Sequence, residues 1–215
     1  MTQTVFFGAQ GAKSPLSSFT PPALQTAVAA AQSAFNAVVT PLGTNGFESG
    51  SNAGSGTFAY TGGAATLTGG TVVGPAQSPT SFGRYNMTAG LPPDPFDTGI
   101  GHGHWLESAT PFSYSFSTPL TALCFFCTDF DSIPASLTIE LYSGGTMFFS
   151  GPVSNPNGAN GNLLFWGVTS GQAFDQARFN ISSVGNSNVL GFDTMVVGNA
   201  AMSAAPQQMI FSECG

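Results

Sequence analysis

The segment from Thr118 to Gly198 constrains the fold more than any other part of the chain. It reads TPLTALCFFCTDFDS, LTIELYSGGTMFFSGPV, GNLLFWGVTSGQAFDQARFNIS and LGFDTMVVG in order. Each piece is a short apolar or alternating run closed by Gly, Pro, Asn, Asp or Ser, a pattern that predicts β-strands joined by turns. Leu137, Ile139 and Leu141 fall on one side of a strand, with Thr138, Glu140 and Tyr142 on the other, as a half-buried strand requires. Ala177, Phe179 and Ile181 repeat the pattern, as do Phe112, Tyr114 and Phe116 upstream. The expectation is an all-β chain whose strands form two sheets packed face to face.

A chain of 215 residues suits one such domain. Hydrophobic residues make up 42% and charged residues only 6%, against about 25% charged in ordinary domains. The three basic residues, Lys13, Arg84 and Arg178, are scattered against ten acids, for a net charge of −7. Phosphate binding needs clustered cations, so nucleic acid is excluded as a partner, and so is polybasic attachment to anionic lipid. No apolar run approaches the length of a membrane-spanning helix. The opening MTQTVFFGAQGAKSP lacks the basic start and apolar core of a secretory leader, which sets the expectation of a chain not addressed for export.

Residues 1–20 are expected to form an extended arm, with Phe6, Phe7 and Phe19 as its assembly contacts. Val5 and Leu16 add apolar weight, and Lys13 is the arm's single charge. Such a segment cannot offset its ordering entropy alone in water and must lie on something; a neighbouring subunit is favoured over its own sandwich. Thr20 then offers an N-cap, with Pro21 and Pro22 at the first helical positions. The stripe Leu24, Val28, Ala31, Phe35 and Val38 predicts a helix over about 22–39, stopped by Pro41 and Gly43. Residues 21–215 form one domain, with the sandwich over about 45–200 and the helix as its N-terminal appendage. The pairs Gly62-Gly63 and Gly69-Gly70 suit hairpin turns.

Catalytic signals are weak. There is no GxSxG or HExxH motif, and no enzymatic activity is expected. His102, His104 and Glu107 in GIGHGHWLES could supply three metal ligands, although exposed loop histidines are the weightier alternative. Cys124 and Cys127 have CxxC spacing within an apolar strand-like run, where positions three apart face opposite sides; two buried, inert thiols are expected. Asp129 and Asp131 project the same way from an extended TDFDS segment, so their like charges call for compensation. A structural calcium using Glu48, Asp129, Asp131 and Asp193 is the metal candidate, against solvated carboxylates capping strand ends. No other cofactor is required. Among the aromatics Tyr85, Trp105, Tyr114, Tyr142 and Trp166, Trp105 and Tyr85 are the candidates for a contact surface, while Trp166 in LLFWGV is expected inside.

The ordered series AFNAVVTPLGTNGFES, GRYNMTAG, FSYSFSTPLTALCFFCTDFDS, LTIELYSGG, GNLLFWGVTSGQAFDQARFNIS and LGFDTMVVG resembles the extracellular β-sandwich domain of bacterial proteins sorted by a PEP-CTERM tail. The resemblance covers about residues 30–198 and implies a jelly-roll-like sandwich without established enzymatic activity. The chain departs from that family in having no sorting motif, in Cys124 and Cys127, and in Thr194 where a second acid follows Asp193. The leading expectation is a structural protein of a bacteriophage particle, a capsid decoration or tail component. Its partners would be copies of itself and other virion proteins, and its location the virion. The alternative is a secreted carbohydrate-binding or matrix module at the cell surface, with polysaccharide as partner.

Overall fold

The computed structural model describes residues 2–10, 26–46, 55–69, 82–86, 104–108, 110–128, 136–153, 163–182 and 190–201. In chain order these form β1 (Gln3–Gln10), α1 (Thr26–Asn36), β2 (Val39–Asn45), β3 (Ser55–Tyr60), β4 (Gly63–Gly69), β5 (Phe82–Asn86), β6 (His104–Ser108), β7 (Phe112–Thr128), β8 (Ser136–Ser143), β9 (Thr146–Val153), β10 (Leu163–Ser182) and β11 (Leu190–Ala200). Every pairing between these strands is antiparallel.

Two long strands organise the molecule. β7 has 17 residues and β10 has 20, well beyond the usual five or six. Their first and second halves pair with different neighbours. Residues 112–116 of β7 lie between β4 and the second half of β10, which in turn pairs with β8. Residues 122–128 lie between β11 and the first half of β10, which in turn pairs with β1. The result is a front sheet ordered β3-β4-β7-β10-β8-β9. The back sheet is ordered β1-β10-β7-β11-β6-β5, with β2 sharing the far edge of β11 with β6. At the bend the register of β10 on β7 slips between Thr169 and Phe174 and again before Gln176. Such irregularities turn a strand from one layer into the next. The inward set on β7 changes accordingly from Phe112, Tyr114 and Phe116 to Leu123, Phe125 and Cys127.

The two inner faces meet in one aromatic-rich core. Phe112 of the front sheet stacks on Phe179 at 4.4 Å between ring centroids and meets Phe192 of the back sheet edge-on at 5.1 Å. Phe125 reaches across to Phe179 at 5.1 Å. Each such ring contributes about 1.5–3 kcal/mol by burial, so this interior rather than any ion pair carries the stability. The all-β sandwich with one principal helix agrees with the sequence expectation.

The turns follow glycine. Gly62 between β3 and β4, and Gly144 and Gly145 between β8 and β9, adopt φ of +86°, +56° and +78°, a region open to glycine at no steric cost. At the bend of β7, the Tyr60 hydroxyl donates to Thr118 O at 2.7 Å and accepts from Thr118 N at 3.1 Å. Thr118 Oγ1 donates to Gly62 O at 2.6 Å, and Ser117 Oγ accepts from Ala64 N at 2.8 Å. The β3–β4 hairpin is thereby pinned to the bend.

Three boundaries differ from the sequence expectation. First, residues 3–10 of the expected arm form β1, in continuous register with the chain's own β10 from Gln3↔Ser170 to Gln10↔Leu163. Backbone pairing within the chain's own sheet, the less favoured of the two expected resting places, offsets the ordering entropy of these residues. Phe6 packs on Phe35 at 5.6 Å, while Phe19 lies outside the described residues. Second, α1 ends at Asn36 rather than near residue 39. Val38 N turns back to Phe35 O, and the chain enters β2 at Val39, paired with Ala200. Pro41 and Gly43, expected as helix stops, sit in that strand, and Val38 is exposed whereas Val39 is buried. Thr20, Pro21, Pro22 and Leu24 lie outside the described residues. Third, β1 and β2 both belong to the sandwich, which therefore does not begin near residue 45.

The helix is also more than an appendage. Val28, Ala31 and Phe35 form a second core with Ala122, Cys124, Phe126, Leu163 and Phe165 on the outer face of the back sheet. Two glycines make the seat. A Cβ at Gly8 would come within 2.2 Å of Ala27 O, and one at Gly167 within 2.8 Å of the Phe35 ring. Helix and sheet touch at distances only glycine permits.

Candidate functional site

The outer face of the front sheet is uncovered among the described residues and carries the polar side chains excluded from the core. Register fixes their rows. Thr66 faces Ser115, which faces Gln176, which faces Tyr142. In the next row Thr68 faces Ser113, then Arg178, then Glu140. Where these rows end near Pro111, a surface groove of about 340 Å³ opens, lined by Thr68, Gly69, Ser113, Tyr142, Gln176 and Arg178 together with Pro111 and Phe112.

The charged groups of this face are mutually engaged. Tyr142 Oη donates to Glu140 Oε2 at 2.6 Å. That bond holds the phenol pKa above its ordinary value, with partial desolvation and the Glu140 charge acting in the same direction. The Arg178 guanidinium, also hydrogen-bonded to the Tyr142 hydroxyl, opposes the shift. Asp175, on the same strand as Arg178, accepts from Gly144 N at 2.8 Å and caps the β8–β9 turn. The groove therefore offers neutral hydroxyl and amide groups, one guanidinium, and one aromatic ring whose hydroxyl is fixed by a carboxylate. Such a set can donate to and accept from a polar ligand. Among the described residues Glu140 is the carboxylate beside the groove, and its Oε2 accepts from Tyr142.

Those predicted site residues that the structure describes are spread over several strands. Tyr85 and Trp105 are register partners in the β5–β6 ladder. His104 faces Asn86, and Glu107 faces Gly83; His102 lies outside the described residues. Asp193 is in β11 opposite Phe126, beside a register slip that reaches Val196 and contains Thr194 at φ +45°. Glu48, Asp129 and Asp131 lie outside the described residues, and no group of three or more His, Cys, Asp or Glu gathers among the described ones. Cys124 and Cys127 are buried thiols, in the helix-side and inter-sheet cores respectively. Phe7 on β1 is exposed. Tyr114 and Trp166 are buried, Trp166 stacking on Phe125 at 5.5 Å, so neither serves as a contact surface. Among the aromatic candidates whose side chains are described, Tyr142 lines the groove.

Sequence reasoning did not assemble Arg178, Glu140, Gln176 and Tyr142. The signal was present as outward positions on two alternating strands, one bearing a rare arginine. The pairing of residues 136–142 with 176–182 is long-range, and it alone brings them together.

No protein-family model and no curated protein matches the chain. Among solved structures, the chain has a slight similarity to TmCBM61, a carbohydrate-binding module solved with β-1,4-galactotriose. The identity is 9% and the TM-score 0.22, over 60% of this chain and 88% of that one. That overlap is too slight to carry fold or ligand across. The sandwich assignment rests on this chain's own strand pairing. No described helix is long and apolar enough to cross a membrane.

Proposed function

We propose that this chain is a non-catalytic saccharide-binding protein whose ligand lies in the groove across β4, β7, β10 and β8. The observation that supports this most is the Tyr142–Glu140 hydrogen bond beside Arg178. It fixes an aromatic ring and its polar neighbours before a ligand arrives, which lowers the ordering cost of binding. A pyranose presents an apolar face to a ring and hydroxyls to side chains that both donate and accept. Gln176, Ser113 and Thr68 supply such groups. The volume of about 340 Å³ falls at the lower end of ligand sites and suits one or two sugar rings.

The test is titration of the folded chain with neutral and acidic oligosaccharides, followed calorimetrically. Tyr142→Ala and Arg178→Ala are each expected to weaken binding by about tenfold or more, the loss of one well-placed polar or stacking contact. Thr57→Ala, on β3 away from the groove, is expected to leave affinity unchanged. Absence of binding to every saccharide at millimolar concentration, or binding indifferent to both groove variants, refutes the proposal.

A second reading, a structural subunit of a bacteriophage particle, is favoured by a different observation: the uncharged, exposed edge of β1.

A further inference from the structure

The strand edges of this sandwich are protected unequally. β9, outermost in the front sheet, carries Pro152 and a register slip beside Tyr142. β2 carries Pro41 and a slip next to Gly198. Proline and bulges are devices that stop a sheet edge from pairing with another chain. β1 has neither. Its eight residues, QTVFFGAQ, run in unbroken register on β10 with no proline and no charge, and its other side has no partner strand among the described residues. Val5 and Phe7 are 45% and 38% exposed along it.

The β3 edge, SGTFAY, likewise lacks proline, slip and charge but exposes no large apolar side chain, so Val5 and Phe7 distinguish β1. With a net charge of −7, two copies repel over most of their surface. β1, the helix TAVAAAQSAFN above it, and the first half of β10 beside it, LLFWGVTS, contain no ionisable acid or base. On the helix, Ala27, Ala30 and Ala34 are exposed beside Ser33, small uncharged side chains that permit close approach of a second helix.

We propose that two copies of this chain form a homodimer by pairing their β1 edges antiparallel about a two-fold axis. Symmetry restricts the register. Strands related by a two-fold axis normal to the sheet bring like faces together only where the numbers of facing residues sum to an even value. The register in which Val5 faces Phe7 of the partner subunit is the one that covers both exposed side chains reciprocally, and it leaves Phe6 beneath Phe35. Cross-strand pairs of an aromatic with a β-branched residue are favourable ones.

The experiment is sedimentation of the full chain across micromolar concentrations, in a Cys214→Ser background that removes the one cysteine outside the two buried ones. A reversible species of twice 21.9 kDa is expected. Phe7→Lys, which places a charge on the edge, is expected to weaken self-association by about tenfold or more. Met147→Lys on the β9 edge is expected to leave it unchanged. Should Phe7→Lys impair folding, a second measurement decides. Chains carrying Val5→Cys mixed with chains carrying Phe7→Cys should cross-link on mild oxidation, and neither should do so alone. A monomer throughout the range, including one that recruits a strand of another protein instead, overturns the proposal. So does a dimer insensitive to Phe7→Lys, or cross-linking as efficient within either variant as between them.

Discussion

Cys124 shows how an ordinary side chain takes its chemistry from its position. It lies on the helix-facing side of β7, packed with Phe35 and Phe165. Burial raises its thiol from 9.0 to about 12, with a backbone hydrogen bond to Val196 opposing. The thiolate is the reactive form, so Cys124 in the folded protein is expected to resist alkylation at neutral pH. The same shift has a stability consequence. Below the ordinary pKa the thiol is protonated in both folded and unfolded chains, and its contribution is fully present. Between pH 9 and about 12 the unfolded chain ionises while the folded one does not, so stability falls as pH rises through that window. Denaturant unfolding of the wild type and Cys124→Ala is expected to show a gap that is constant up to pH 9 and narrows above it. A gap independent of pH would show that Cys124 ionises freely in the fold.

At the scale of elements, the β3–β4 hairpin depends on its attachment to β7. Tyr60 bonds both backbone groups of Thr118, and Tyr60→Phe keeps the ring while releasing both. Thr118 is itself exposed, so its freed groups turn to water and the cost should be about 1 kcal/mol rather than the larger penalty of a dry orphan. Urea unfolding measures it; a loss below a few tenths would mean that the ring alone holds the hairpin. The strands themselves were legible because alternation is local: Leu137, Ile139 and Leu141 declare their face without knowing their neighbour. So were the continuous apolar runs at 122–127 and 163–168, which imply burial on both faces. What covers the second face was not legible. Phe35 meets Phe165 at 5.9 Å across 130 residues, and Gly8 and Gly167 matter only once helix and sheet touch. The extent of β1 was missed for a related reason. An uncharged segment rich in Phe, Gly and Thr reads alike whether its strand partner is β10 of the same chain or another molecule. The groove was hidden more deeply, since Thr68, Ser113, Tyr142 and Arg178 come from four strands that only the register aligns.

Seen as a whole molecule, the sandwich differs from two sheets laid on one another. β7 and β10 run through both layers as a paired ladder, bent between Thr169 and Gln176. Neither layer can open without unpairing strands that also belong to the other, so partial unfolding of a single layer has no low-energy route. Amide hydrogen exchange under native conditions should then report one opening free energy for central front-sheet amides, such as Leu67, and central back-sheet amides, such as Val197. Two distinct values would mean that the bend acts as a hinge. A force applied across the molecule would meet the same constraint. Tension would be shared by two continuous strands instead of being carried by side-chain packing at the interface, giving the fold the character of a stitched seam.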